Sequence, residues 1–497
     1  MVDGARLVLD PAFTVGTLDR RVFGSFVEHM GRAVYTGIYE PGHPTSDAAG
    51  FRGDVAGLVR ELGVTTVRYP GGNFVSSYRW EDGIGPVADR PARLDLAWRS
   101  LESNEFGVNE FIAWCREVDV EPMLAVNLGT RGVEAACDLL EYCNHPGGTY
   151  WSDLRIAHGY EKPHDVRLWC LGNEMDGPWQ LGGKTAQEYG RLAAETAKAM
   201  KLVDPRVQLV LCGSSSSSMP TFGTWEATVL EHAYDYVDFL SLHSYYDPTD
   251  GDLDSFLASA VDMDRFIEAV VATCDHVGAT LKKDRKLRLS YDEWNVWYQG
   301  DFTEPENWPW RRAPELIENH YTVADAVVVG NCLISLLNHA DRVGVACLAQ
   351  LVNVIAPIRT EAGGSAWAQT IFHPFALTAS NAGSTVLQSQ LHAPSYPTKK
   401  YGDVGAIDCA ATIDEDGRIA VFVVNRSREP MDLTIQLRGL EEVQVRGHTS
   451  LAQDQEMETD PHAAVLQQHD SARIAYDERQ VNLPAVSWNV INLNADR

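Results

Sequence analysis

The chain has 497 residues, 69 acidic and 41 basic, giving a formal net charge of −28, with 45% hydrophobic and 22% charged side chains. That balance is globular rather than disordered, and the length accommodates two or three domains, or one large domain with a smaller one. The acidic excess is spread along the chain without an acidic tail, so it reads as solubility and argues against nucleic-acid phosphates and anionic membranes as partners.

The N-terminus, MVDGARLVLDPAF, places Asp3 early and lacks an apolar core ending in small residues, so it does not read as a secretory signal. Residues 5–18 are strand-like. From about residue 20 to 360, apolar runs then alternate with helical patterns. The runs are VFGSFVEH (22–29), TTVRYPGGN (65–73), PMLAVNLG (122–129) and VRLWCLGNE (166–174), then VQLVLCGS (207–214), DFLSLHSYY (238–246), LRLSYDEW (287–294) and VGVACLAQL (343–351). Most lack polar alternation, as parallel strands buried on both faces require.

Between them, residues 47–62 put Phe51, Val55, Leu58, Val59 and Leu62 on one helical face, with Gly63 as the stop. Phe111, Ile112, Trp114, Cys115 and Val118 form a similar stripe. Thr185 and Glu188 make a capping box before apolar Tyr189, Leu192, Ala193, Ala197 and Met200. The run 326–337, broken by Asn331, is too short to span a membrane and reads as a buried helix. Eight strand–helix units fit a (β/α)8 TIM barrel, whose usual core is ~250 residues. A doubly wound sheet would want a glycine-rich phosphate loop after its first strand, and the sequence has none.

After about residue 375 the pattern changes to short alternating strands: VGAIDCAATIDEDGRIAVFVVNRS, MDLTIQLRG, EVQVRGHTS, ARIAYDERQV and VSWNVINLN. These predict a C-terminal antiparallel, jelly-roll-like β-sandwich. The expected division is 1–18 joining the sandwich, 19–375 as barrel and 376–497 as sandwich. Nine cysteines form no CxxC pair and several lie in apolar runs, so they read as reduced thiols of a cytoplasmic protein. The serines at 214–218 read as the loop after strand five, and the Asn425 sequon as chance.

In such barrels chemistry sits at the C-terminal strand ends. Those ends carry Glu28 and His29, Arg68 with Gly71-Gly72-Asn73, Asn127, Asn173-Glu174, His243 and Tyr245, Asp292-Glu293, and Gln350. Glu174 and Glu293 stand out because each follows an apolar approach, on strands that lie roughly across the barrel. Two carboxyls facing a sugar are what glycoside hydrolysis needs, one donating a proton and the other acting as nucleophile or base. A lone strand-end glutamate is more often solvated or capping, but two among Asn, His, Tyr and Gln point to chemistry.

Asn173 suits a sugar hydroxyl, Tyr245 suits holding a carboxylate ionised, and Arg68 suits pairing with Glu293 unless it is a purely structural ion pair. Gly71-Gly72 permits a close backbone approach to a ligand, or is a plain turn. Trp98, Trp297, Tyr298, Trp308 and Trp310 crowd the loops above this end, where rings stack on sugar C–H faces or simply pack. No HExxH, Cys/His ligand spacing or G-x-S-x-G elbow occurs, so no metal and no cofactor are expected, and a serine hydrolase is disfavoured.

WCLGNEMDGPWQ (169–180) and YDEWNVWY (291–298) resemble the acid/base and nucleophile signatures of glycoside hydrolase family 51, the α-L-arabinofuranosidases. FGSFVEHMGRAVYTGIYEP (23–41), VRYPGGNFVSSYRWEDGIGP (67–86), LHSYY (242–246) and NVIAPI (353–358) extend the resemblance over essentially the whole chain. It implies Glu174 as acid/base and Glu293 as nucleophile. It implies Glu28, Gly72, Asn73, Asn173, Tyr245 and Gln350 as arabinofuranose-pocket residues, Trp98 and Trp297 as its walls, and His243 as support. It further implies exo-acting, retaining release of terminal L-arabinofuranose from arabinan and arabinoxylan fragments by a cytoplasmic homo-oligomer, often a hexamer. The rival readings are another retaining barrel glycosidase, a β-xylosidase or endoglucanase, and a non-catalytic saccharide-binding protein.

Overall fold

The computed structural model describes residues 4–302, 309–439, 443–453, 464–469 and 480–495. All eight predicted runs form strands, and they close into one parallel barrel in sequence order. The strands are Gly24–Phe26, Thr66–Tyr69, Glu121–Val126, Leu168–Leu171, Gln208–Leu211, Phe239–Tyr246, Arg288–Val296 and Val343–Leu348. Every strand but the seventh is shorter than the apolar run that announced it. Glu28, Asn73 and Asn173-Glu174 therefore stand on the loops just beyond their strands, while His243, Tyr245 and Glu293 remain within theirs.

A helix follows each strand: Gly53–Leu62, Val108–Val118, Val133–Asn144, Ala186–Val203, Thr224–Ala233, Ala260–Thr280, Val323–Asn338 and Phe372–Asn381. The first begins six residues later than the periodicity of 47–62 predicts. Asp47 Oδ1 accepts the amides of Ala49 and Phe51, each at 2.9 Å, and so withdraws donors that a helix would use. Phe51 is buried, but in this turn rather than on the helix. The Thr185 capping box forms as expected: Thr185 Oγ1 accepts from the Glu188 amide at 3.3 Å, and Glu188 Oε2 from the Thr185 amide at 3.0 Å. The eighth helix crosses the 375/376 boundary expected from the sequence.

Beyond the barrel lie a four-stranded and a seven-stranded sheet. Ala5–Leu9 sits between Gln390–His392 and Met431–Leu437, and Thr14–Thr17 pairs with Thr385–Leu387. The sandwich is antiparallel except where Ala5–Leu9 meets Met431–Leu437, a parallel pair. Of the predicted strand 472–481, residues 472–479 lie outside the described residues, and Gln480–Leu483 pairs with Met431–Leu437. Leu7, Val421, Val423, Leu433 and Ile491 fill the space between the sheets. The opposite face of the larger sheet presents Phe422, Val424, Trp488 and Val490 to the barrel core. Successive side chains alternate faces, so strands apolar on both faces are those covered on both. Helix Val323–Asn338 packs here, and Gly330 has no room for a Cβ because the Trp488 ring occupies that space.

All nine cysteines are unpaired, and all but Cys137 are buried. Among the described residues, no helix is long and apolar enough to cross a membrane.

Candidate active site

A cavity of about 630 Å³ opens at the C-terminal mouth of the barrel. Nine of the expected residues line it: Glu28, Gly72, Asn73, Trp98, Glu174, Tyr245, Glu293, Trp297 and Gln350. Arg68 and His243 stand behind them as buried partners of the carboxylates, and buried Asn173 accepts from Arg68.

Glu293 comes from strand seven and is held from two sides. Arg68 donates to Oε1 at 2.7 Å, and the Tyr245 hydroxyl donates to Oε2 at 2.8 Å. Arg68 also donates to Asn173 Oδ1 at 2.6 Å and lies 3.4 Å from Asp292. Glu174 stands opposite, its backbone at φ 44° directing the side chain into the cavity. Its Oε1 accepts from His243 Nδ1 at 2.9 Å and its Oε2 from the Trp179 indole at 2.7 Å. One carboxylate oxygen of Glu174, one of Glu293 and a ring nitrogen of His243 all lie within 4.8 Å of one another.

His243 lies between three carboxylates. Burial, the largest single influence, disfavours its imidazolium, but Glu293, Asp292 and Glu174 together outweigh burial and push it up to about 10. It therefore carries a proton at neutral pH. Glu174, His243 and Glu293 have the spacing of a metal-ligand set, and a metal there would have to displace the His243 proton.

Glu28 is more deeply buried than Glu174 or Glu293. The Phe74 amide and the Trp98 indole each donate to Oε1 at 2.8 Å, and Gln350 Nε2 lies 3.3 Å from Oε2. The glycines have a specific cause here. A Cβ on Gly71, whose φ is +147°, would come within 2.5 Å of Glu28 Cγ, and one on Gly72 would overlap the carboxylate itself. Their smallness makes room for Glu28, so they are neither a plain turn nor solely an approach for ligand.

Burial pushes Glu28 up to about 8, against the two donors and with Glu293 adding to the rise. The folded chain thus holds this proton more tightly than the unfolded one. The associated stability is complete below about pH 4.5 and is lost as pH rises through about 8. Thermal melts at pH 6 and pH 9 should show Glu28→Gln losing less stability over this interval than the wild type, by on the order of a few kcal/mol. Identical pH dependence in the two proteins would remove the assignment.

Not every expected residue reaches the cavity. His29 turns away to Glu102 and Tyr69, at 2.8 and 2.7 Å. Asn127 ties its own loop through Tyr78, Gly129 and Thr130, beside a separate void of only about 20 Å³. Tyr298 donates to Asp325 at 2.6 Å, Trp310 packs against Arg99, and Trp308 lies outside the described residues. Conversely, the cavity is also lined by Trp179 and Met219, which sequence reading passed over, and by Ser215, Ser216 and Ser218, which it read only as the loop after strand five. The signal was available for Trp179, five residues beyond Glu174 in the quoted motif.

A closed barrel with two facing carboxyls, each held by cationic or hydroxyl partners, defines a glycoside hydrolase of the barrel type. Family models described as the α-L-arabinofuranosidase 1 domain and the α-L-arabinofuranosidase C-terminal domain match residues 58–264 and 292–487. The chain is 57% identical to an intracellular exo-α-(1→5)-L-arabinofuranosidase of Streptomyces lividans, over 98% of this chain and 75% of the relative. It is 53% identical to the protein of the same name from Halalkalibacterium halodurans, over 98% and 99%. The solved structure of AbfB, a family 51 α-L-arabinofuranosidase from Bifidobacterium longum, superposes with a TM-score of 0.94 at 46% identity, covering 99% of this chain and all of that one. The chain belongs to the family 51 α-L-arabinofuranosidases.

Proposed function

We propose that the chain is an exo-acting, retaining α-L-arabinofuranosidase that removes terminal L-arabinofuranose by double displacement, with Glu293 as nucleophile and Glu174 as acid/base. The observation that carries this reading is the short separation of the two carboxylates, whose nearest oxygens lie within 4.8 Å. Retaining pairs stand ~5–5.5 Å apart, whereas inverting pairs need ~6.5–9.5 Å to admit a water.

Glu293 attacks the anomeric carbon while the bond to the leaving oxygen breaks, and Glu174 delivers its proton to that oxygen. Water then loses a proton to Glu174 and attacks the same carbon, and Glu293 departs as carboxylate. Arg68 and Tyr245 hold Glu293 in its attacking orientation. Glu28, Asn73, Asn173 and Gln350 supply hydrogen bonds for sugar hydroxyls, with the Gly72 backbone beside them, while Trp98 and Trp297 supply the walls.

The names of the two relatives support α-(1→5)-linked arabino-oligosaccharides as substrates and an intracellular, cytoplasmic setting. We take the domain division to fall after Asn381, because the eighth helix is continuous to that residue. The family resemblance supports a homo-oligomer, with a hexamer the first arrangement to test by sedimentation.

A panel of aryl glycosides tests the activity. The α-L-arabinofuranoside should be cleaved, and α-(1→5)-arabinobiose should yield free arabinose. Cleavage of the β-xyloside or of cellulose in its place would favour the rival glycosidase. Tight arabinose binding without turnover would favour a binding protein.

A further inference from the structure

The loop after the second barrel strand carries a hairpin, Arg93–Asp95 against Ser100–Glu102, with Trp98 at its tip. Asp95 occupies the pair closest to the tip, opposite Ser100, and is only 2% exposed. Its carboxylate turns into the tip and gathers three donors: the Ala97 amide at 3.0 Å, the Trp98 amide at 3.2 Å and the Ser100 hydroxyl at 3.1 Å. The turn these bonds close aims the Trp98 indole at Glu28 Oε1, 2.8 Å away.

The rest of the hairpin is also anchored. Glu102 binds His29, the neighbour of Glu28, at 2.8 Å, and accepts from the Tyr35 hydroxyl. The Leu101 amide donates to the Arg311 carbonyl at 2.9 Å, stitching the hairpin to the segment that follows the Glu293 strand. With the base fixed in this way, Asp95 is the side chain that accepts from the tip backbone, at the Ala97 and Trp98 amides.

We propose that Asp95 is a positioning residue for the sugar pocket, acting through Trp98. Its carboxylate pre-forms the tip so that the Trp98 wall and the Trp98–Glu28 hydrogen bond are in place before substrate arrives. A side chain that only shapes binding acts equally on ground and transition states, so its loss appears in KM rather than kcat. The proposal rests on the arabinofuranosidase reading of the cavity. It concerns the charge of Asp95 only as a means of accepting hydrogen bonds.

The test is a double-mutant cycle on full-length protein with an aryl α-L-arabinofuranoside. Asp95→Ala should raise KM about tenfold with kcat within about threefold of wild type, the loss expected for a charge-assisted hydrogen-bond cluster. Asp95→Asn, which keeps an oxygen acceptor, should restore KM to within about threefold. In a Trp98→Phe background, Asp95→Ala should add less than about twofold, because the group it positions is already gone. Equal effects of Asp95→Ala in both backgrounds, or an Asp95→Asn variant as impaired as the alanine one, would overturn the proposal. Asp95→Ser runs the same cycle if the alanine variant does not fold. An inactive wild type would instead contradict the arabinofuranosidase reading, so the two failures are distinguishable.

Discussion

Glu293→Ala should lose turnover on every α-L-arabinofuranoside, by ~10⁴-fold or more in kcat/KM, whatever the leaving group. The size of the effect follows from what Glu293 does and what surrounds it. It would form the covalent bond to the anomeric carbon, and no neighbour can replace it. Asp292, one residue away, points to Arg68, Ser241 and His243 and is 1% exposed. Glu28 is wedged against Gly71 and Gly72 and held by Trp98. The variant should still fold, although Arg68 and Tyr245 each lose a partner, and circular dichroism with thermal melting would confirm that. Substantial residual activity in a folded Glu293→Ala protein would remove the nucleophile assignment.

Glu174→Ala should behave differently according to the leaving group. With natural oligosaccharides, whose leaving oxygens need a proton, kcat/KM should fall by ~10²–10⁴-fold. With an activated aryl leaving group the first step should persist, the arabinosyl-enzyme should accumulate as a burst, and deglycosylation should become limiting because water has lost its base. Azide needs no base, so added azide should restore turnover and yield an arabinosyl azide of retained configuration. The cavity is wide enough for a small anion where the carboxylate stood, since that carboxylate borders about 630 Å³ of open space. A Glu174→Ala variant with equal losses on both substrates and no azide response would contradict the acid/base role.

Both predictions use residues legible in the sequence, and the reason is physical. Parallel barrel strands are buried on both faces, so they read as apolar runs, and a polar residue ending such a run has to lie at the mouth. That logic located Glu28, Glu174 and Glu293 and ordered the eight strands. It could not tell which polar residue at a strand end faces the cavity. His29 and Glu28 are adjacent, yet one turns to Glu102 and the other to Trp98 and Phe74. Asn127 has the right position, but a local hydrogen-bond cage keeps it. Trp179 was missed because it lies on an irregular segment, where no periodicity announces direction. The start of the first helix was missed because a side chain, Asp47, competes with the backbone for amide donors. The crowding of Glu28 by Gly71 and Gly72 is a three-dimensional fact that no local pattern contains.

A nucleophilic Glu293 requires a covalent arabinosyl-enzyme intermediate, and the most direct measurement of it is the stereochemistry of transfer to methanol. Cleavage of an aryl α-L-arabinofuranoside in methanol-containing buffer should give methyl α-L-arabinofuranoside, identified by proton NMR, because two inversions at the anomeric carbon restore the starting configuration. Formation of the methyl β-anomer would mean a single direct displacement, which would contradict the nucleophilic role of Glu293 despite the short distance between the carboxylates.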